Sequence, residues 1–166
     1  MSDGNPRIAV CPGSYDPVTN GHLDIIGRVS RVFDQVIVGV VGSAPRKSGH
    51  VFTPDERREF LTDATGDLPN VEVEIFRNLV VELARDRGAT AIVKGLRAIS
   101  DFEYEFEMNQ LNRKLAPEIE SIYVFASAEY SFLSSTGVKE MATFGGDVSD
   151  LVPAAVSEAL VERLKR

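Results

Sequence analysis

Val36-Ile37-Val38-Gly39-Val40-Val41 decides the fold. It is an unbroken apolar run of strand length, and such a run marks a strand covered on both faces. Upstream, Ile8–Val10 is a second short apolar run, ending at Cys11-Pro12-Gly13. Between the two, Ile25, Ile26, Val29, Val32 and Phe33 fall on one face of a helix over residues 21–33. Downstream, Thr53-Pro54-Asp55-Glu56 joins an N-cap Thr, a Pro at the first helical position and a Glu at the third, which predicts a helix start. Val71–Ile75 alternates like a strand, and Leu79–Arg87 reads as a helix closed by Gly88. Ala91–Val93 and Ile122–Ala126 are two further buried strands, and helical patterns occupy residues 136–144 and 154–165.

One segment has two readings. Phe102-Glu103-Tyr104-Glu105-Phe106-Glu107 alternates like a strand. Yet Ser100 and Glu103 have capping-box spacing, Met108–Leu115 holds good helix formers, and Phe102, Phe106, Leu111 and Leu115 fit a helical stripe. Helix is the favoured reading. The alternating order then implies an α/β fold: a single Rossmann-like domain over residues 1–166, with a parallel sheet of about five strands and helices on both faces. Such sheets bind ligands beyond the carboxyl ends of their strands, so functional residues are expected there.

The chain has 166 residues, 18 Lys and Arg against 25 Asp and Glu, and a net charge of −7. That excess of acid disfavours a nucleic-acid partner, which needs clustered cations. The single cysteine, Cys11, cannot form an intrachain disulfide, and no Cys/His cluster predicts structural zinc. No apolar run approaches a membrane span, and the polar start lacks the pattern of a signal peptide. The expected location is the cytoplasm, with no membrane partner.

Neither a Walker A loop nor a GxGxxG fingerprint is present. Four segments at expected strand ends suit an anion instead. The first is Ser14 to His22, where Gly13 and Gly21 permit close backbone approach and His22 stands in the first turn of a helix. The second is Ala44-Pro45-Arg46-Lys47-Ser48-Gly49; the third is Lys94-Gly95-Leu96-Arg97. The fourth, Tyr130 to Gly137, brings hydroxyls and free amides to a helix start. Taken alone, each also reads as an ordinary turn, surface loop or helix cap. Asp16, Glu103 and Glu105 read as structural carboxylates, Cys11 as a buried thiol, and His50 as an exposed loop residue. Together the four segments describe a polyphosphate site without an evident nucleophile or base. That combination fits phosphoryl or nucleotidyl transfer, where positioning and charge stabilisation dominate.

Four strings carry a resemblance over roughly residues 7–164: Pro-Gly-Ser-Tyr-Asp-Pro-Val-Thr-Asn-Gly-His at 12–22, Lys-Gly-Leu-Arg at 94–97, Asp-Phe-Glu-Tyr-Glu at 101–105 and Tyr-Ser-Phe-Leu-Ser-Ser-Thr at 130–136. They resemble the bacterial phosphopantetheine adenylyltransferases of the nucleotidyltransferase superfamily. The resemblance implies reversible transfer of an adenylyl group from ATP to 4′-phosphopantetheine, by in-line displacement without a covalent enzyme intermediate. The products are dephospho-coenzyme A and pyrophosphate, and the cofactor is Mg²⁺, whose ligands the sequence leaves unknown. It also implies a homohexamer and coenzyme A as a feedback inhibitor.

By position, the resemblance makes His22 the transition-state stabiliser. It assigns ATP to Ser14, Tyr15, His22, Gly95, Leu96, Arg97, Glu105 and the loop Tyr130, Ser131, Phe132, Leu133, Ser134, Ser135 and Thr136. It assigns the acceptor to Ser14, Lys47, Val80 and Lys94, with Asn112 and Glu140 as further pantetheine contacts. Ser14, Tyr15, Lys94 and Thr136 depart from commoner Thr, Phe, Arg and Ser, and a Lys offers phosphate a point charge where Arg offers a planar fork. The loop at 46–51 is one residue longer than usual, which leaves Arg46 as an alternative to Lys47. Rival readings are an enzyme of the same superfamily acting on nicotinate mononucleotide, or with CTP on glycerol phosphate, and a non-catalytic sensor of adenine nucleotides or coenzyme A. The segments 94–105 and 130–136 favour phosphopantetheine over the first, and His22 disfavours the second.

Overall fold

The computed structural model describes residues 4–42 and 49–164. Five strands, β1 (Ile8–Gly13), β2 (Gln35–Val41), β3 (Val71–Phe76), β4 (Ala91–Leu96) and β5 (Glu120–Phe125), form one sheet in the order β3-β2-β1-β4-β5. Every pairing is parallel, with Gly13 opposite Val40 and Ala9 opposite Ala91. The chain steps outward from β1 to β3, then returns to β1's other side for β4. The two halves therefore diverge between β1 and β4, and a crevice opens at their carboxyl ends.

Among the described residues, six α-helices connect and cover the strands: α1 (Asn20–Val29), α2 (Pro54–Ala64), α3 (Val80–Asp86), α4 (Ile99–Leu115), α5 (Ser135–Thr143) and α6 (Ala154–Leu164). Strand side chains alternate between two cores. Ala9, Cys11, Val36, Val38, Val40, Ala91 and Val93 pack with Ile26 and Val29 of α1, Leu61 of α2, Val138 of α5 and Leu160 of α6. Val10, Ile37 and Ile92 point the other way, onto Val81, Leu83 and Ala84 of α3. Helices cover both faces, as the apolar runs require.

The expected start of α2 is present in full. Thr53 Oγ1 accepts from Glu56 N at 3.3 Å, and Thr53 N donates to Glu56 Oε2 at 2.8 Å. Arg163 of α6 adds an ion pair to Glu56 at 2.7 Å. Its hydrogen bond, then those of Thr53, hold the Glu56 carboxyl down to about 2. A depressed carboxyl stabilises the fold above its unfolded value near 4.5, and this contribution is lost as pH falls toward 2. Thr53→Ala is expected to destabilise by about 1 kcal/mol, read as a lower denaturation midpoint without loss of the fold.

Three expectations are corrected. The ambiguous segment is helical, but Ser100 and Glu103 make no capping box: the N-cap of α4 is Ala98, with no side-chain cap bond. The helix over 21–33 ends at Val29, and the next residues turn, which leaves Val32 exposed. The strand at 91–93 continues through Lys94, Gly95 and Leu96, which pair with Tyr123, Val124 and Phe125. A partner strand thus carries β4 past the point where its apolar run stops.

Candidate active site at the strand termini

The crevice between β1 and β4 is a cavity of about 540 Å³. Its wall brings together Ser14, Tyr15, His22, Lys94, Gly95, Arg97, Glu105, Tyr130, Leu133, Ser134, Ser135 and Thr136. Leu96 is buried in β4, while Ser131 and Phe132 stand exposed beside the wall. Val80 opens α3 and packs on the other core, and Asn112 and Glu140 also lie away from the wall. Arg46 and Lys47 lie outside the described residues.

His22 is the third residue of α1 and closes an unusual capping box. Its Nδ1 accepts the Thr19 backbone N–H at 3.0 Å, and Thr19 Oγ1 lies 3.1 Å from the same nitrogen. The Thr19 hydroxyl in turn accepts from His22 N at 3.4 Å. With Nδ1 an acceptor, the neutral ring carries its proton on Nε2. Burial, and then the positive charge of Arg97, lower the His22 pKa from 6.5 to about 4. At neutral pH this side chain is therefore an uncharged donor locked in one tautomer.

Tyr15 props that ring. The two ring centroids are 5.0 Å apart in an edge arrangement, and Tyr15 Oη donates to Cys11 O at 2.9 Å. Tyr15 holds φ +48°, a left-handed conformation rare outside glycine. Gly13 makes room for it, since a Cβ there would meet the Tyr15 ring at 3.0 Å. Its hydroxyl is thus engaged within the protein. Burial pushes the neighbouring Cys11 thiol up to about 12, so it offers no thiolate for chemistry.

Three cavity cations each face a carboxylate. Lys94 Nζ lies 2.7 Å from Glu105, Arg97 Nε 3.1 Å from Asp101 and Lys139 Nζ 3.1 Å from Asp16. Arg97 also donates from Nη1 to Leu133 O at 2.9 Å, which ties the end of β4 to the loop before α5. At that helix start Ser134 Oγ accepts from Gly137 N at 3.0 Å, and Ser135 Oγ donates to Pro17 O at 2.7 Å. Ser135 and Thr136 thus set the first turn of α5 on the wall, where helix amides favour an anion.

The sequence reading missed several wall residues. Lys139 looks like any helix-face lysine, and only the fold reveals that it reaches buried Asp16. Asp16, read as a structural carboxylate, also accepts Val51 N at 3.0 Å and Phe52 N at 2.9 Å. His50 is half-buried on the wall and not exposed, because the chain returns past Asp16 just there. Thr19 went unread because a His at the third helical position is not the usual capping partner.

A parallel α/β sheet with a neutral imidazole donor, a helix start and cations around one crevice fits the nucleotidyltransferase class. Residues 10–141 match the cytidylyltransferase-like family model. The chain is 50% identical over 157 residues to the phosphopantetheine adenylyltransferase of Desulforudis audaxviator, covering 95% of each chain. It is 51% identical over 154 residues to that of Rubrobacter xylanophilus, covering 93% of each. A solved structure from Vibrio parahaemolyticus, provisionally described as a nicotinate-nucleotide adenylyltransferase, superposes with a TM-score of 0.68 at 17% identity. It covers 95% of this chain and 93% of its own, and at that identity it shows the shared fold alone. The chain belongs to the phosphopantetheine adenylyltransferases.

Proposed function

We propose that the chain transfers the adenylyl group of ATP to 4′-phosphopantetheine within this cavity. An acceptor phosphate oxygen attacks the α-phosphorus, the bond from that phosphorus to the β-phosphate oxygen breaks, and pyrophosphate leaves. The observation that carries this reading is His22, an uncharged Nε2–H donor held in one tautomer beside a helix start and Lys94. Such a donor stabilises charge that grows on the α-phosphate without exchanging a proton. Lys94 and Ser14 are read as acceptor-phosphate contacts, and Ser14, with Tyr15 and His22, also as an ATP contact. Arg97, Gly95, Glu105 and the loop before α5 are read as ATP contacts. Mg²⁺ would supply charge neutralisation on the triphosphate. Among the described residues, no group of three or more His, Cys, Asp or Glu is placed to hold a metal ion.

Two observations extend the proposal to assembly. Helix α4 has no buried residue, and Ile99, Phe102, Tyr104, Phe106, Leu111 and Leu115 are exposed along it; Phe125 at the end of β5 is exposed as well. An apolar surface of that kind supports a homo-oligomer, here read as a hexamer. No helix among the described residues is long and apolar enough to cross a membrane, and we place the enzyme in the cytoplasm. Coenzyme A shares the product's skeleton and is read as a competitor for the cavity. We treat the chain as one domain.

The reaction is testable from its product side. With dephospho-coenzyme A and pyrophosphate the enzyme is expected to form ATP; no ATP from folded protein would overturn the proposal. Lys47→Ala is expected to raise KM for phosphopantetheine at least several-fold more than KM for ATP. Equal effects on both would remove Lys47 from the acceptor site.

A further inference from the structure

Asp24 and Arg28 stand one turn apart on α1 with 3.2 Å between their charges, a spacing that on most helices gives only a solvated surface pair. Here both side chains also reach off the helix to one distant stretch of chain. Ser127 Oγ donates to Asp24 Oδ2 at 2.7 Å, and Arg28 Nη1 donates to Phe125 O at 2.8 Å. The Asp24 side chain is only 23% exposed, so water competes poorly for these bonds. Neither Asp24 nor Arg28 lines the cavity.

What the pair holds is the root of the loop before α5. Strand β5 ends at Phe125, Ala126 and Tyr130 are on the cavity wall, and Ser127 lies between them. From Ser127 onward the chain closes on itself. Tyr130 N donates to Ser127 O at 2.9 Å, Ser131 N to Ala128 O at 3.3 Å and Leu133 N to Tyr130 O at 3.0 Å. Such turns fix the shape of the segment but not its place. Its two ends are tied to other elements: Arg97 donates to Leu133 O at 2.9 Å, and Asp24 accepts from Ser127 at the other end. Gly21 of α1 lets the two come close, since a Cβ there would meet Tyr130 Cβ at 3.4 Å. Gly21, His22 and Asp24 belong to one helix, so the segment is registered on the element that carries the imidazole.

We propose that Asp24 is a positioning residue for ATP: its carboxylate, braced by Arg28, holds the 127–133 segment against α1 in the arrangement that receives the nucleotide. This deepens the proposed function and rests on the reading that the loop 130–136 contacts ATP. A segment released at Ser127 spends only part of its time in that arrangement, and the apparent affinity for ATP falls by the same fraction. No acceptor contact is assigned to residues 127–133, so phosphopantetheine should be indifferent to the release.

The test is Asp24→Ala, with Ser127→Ala, Ser127→Thr and wild type in parallel. ATP with Mg²⁺, and separately 4′-phosphopantetheine, are titrated into each by calorimetry. A hydrogen bond to a charged group sets the scale at about 10-fold. The expected result is a Kd for ATP raised about 10-fold in both Ala variants and a Kd for phosphopantetheine within about twofold of wild type. Ser127→Thr keeps the hydroxyl and should bind ATP as wild type does. A general loosening of the fold would weaken both ligands alike, and a hydroxyl would not repair it. Unchanged ATP affinity in folded Asp24→Ala, or equal losses toward ATP and phosphopantetheine, would overturn the proposal. If Asp24→Ala gives no folded protein, Ser127→Ala removes the same bond from a half-buried loop position and decides by the same two criteria. Wild type that binds no ATP would instead contradict the function on which the inference rests.

Discussion

His22→Ala is expected to lower kcat by about 10²–10³-fold while the protein stays folded, the typical loss when one preorganised donor is removed. The ring is locked by Thr19 N at 3.0 Å and propped by Tyr15, so its Nε2–H needs no rearrangement during reaction. His22→Asn keeps a donor on a shorter arm and should recover little of the rate. A near-normal rate in folded His22→Ala would remove His22 from the chemistry. The same residue gives a pH signature. Its pKa is about 4 in the fold against 6.5 unperturbed, so the unfolded chain takes up its proton first. Stability from this group is complete above about pH 6.5 and is lost as pH falls toward 4. Melting temperature should therefore fall more between pH 7 and 4.5 for wild type than for His22→Asn.

Lys94→Met is the second large effect. Lys94 Nζ sits 2.7 Å from Glu105, whose side chain is only 13% exposed. Removing the ammonium deletes the proposed phosphate contact and leaves that carboxylate unpaired in a cavity read as binding phosphates. Neither side chain of the pair is fully buried, so its truncation is expected to fall at the low end for such pairs, about 2 kcal/mol, or about 30-fold in acceptor affinity. Much of that loss belongs to the stranded Glu105, so Glu105→Gln added to Lys94→Met should restore part of it. Lys94→Arg keeps the charge and should lose little. An acceptor KM unchanged in Lys94→Met would end the assignment.

What the sequence made legible was periodicity and local chemistry. The apolar run at 36–41 and the Thr53 capping box both mark real elements because their causes are local. Lys94 was placed beyond its strand because a charged residue and a glycine end the apolar run, whereas pairing with β5 carries the strand on. Arg57 and Lys139 were invisible because a charged residue on a helix ordinarily faces water. Only the fold aims one at backbone carbonyls and the other at Asp16. The stripe of α4 was visible as a stripe, but periodicity names no partner, and this face turns away from the sheet's cores.

The most direct test is pyrophosphate release from ATP and Mg²⁺, with 4′-phosphopantetheine compared against nicotinate mononucleotide as acceptor. Release with phosphopantetheine alone is the predicted result. Release with nicotinate mononucleotide alone, or with neither acceptor from folded protein that binds ATP, would contradict the account.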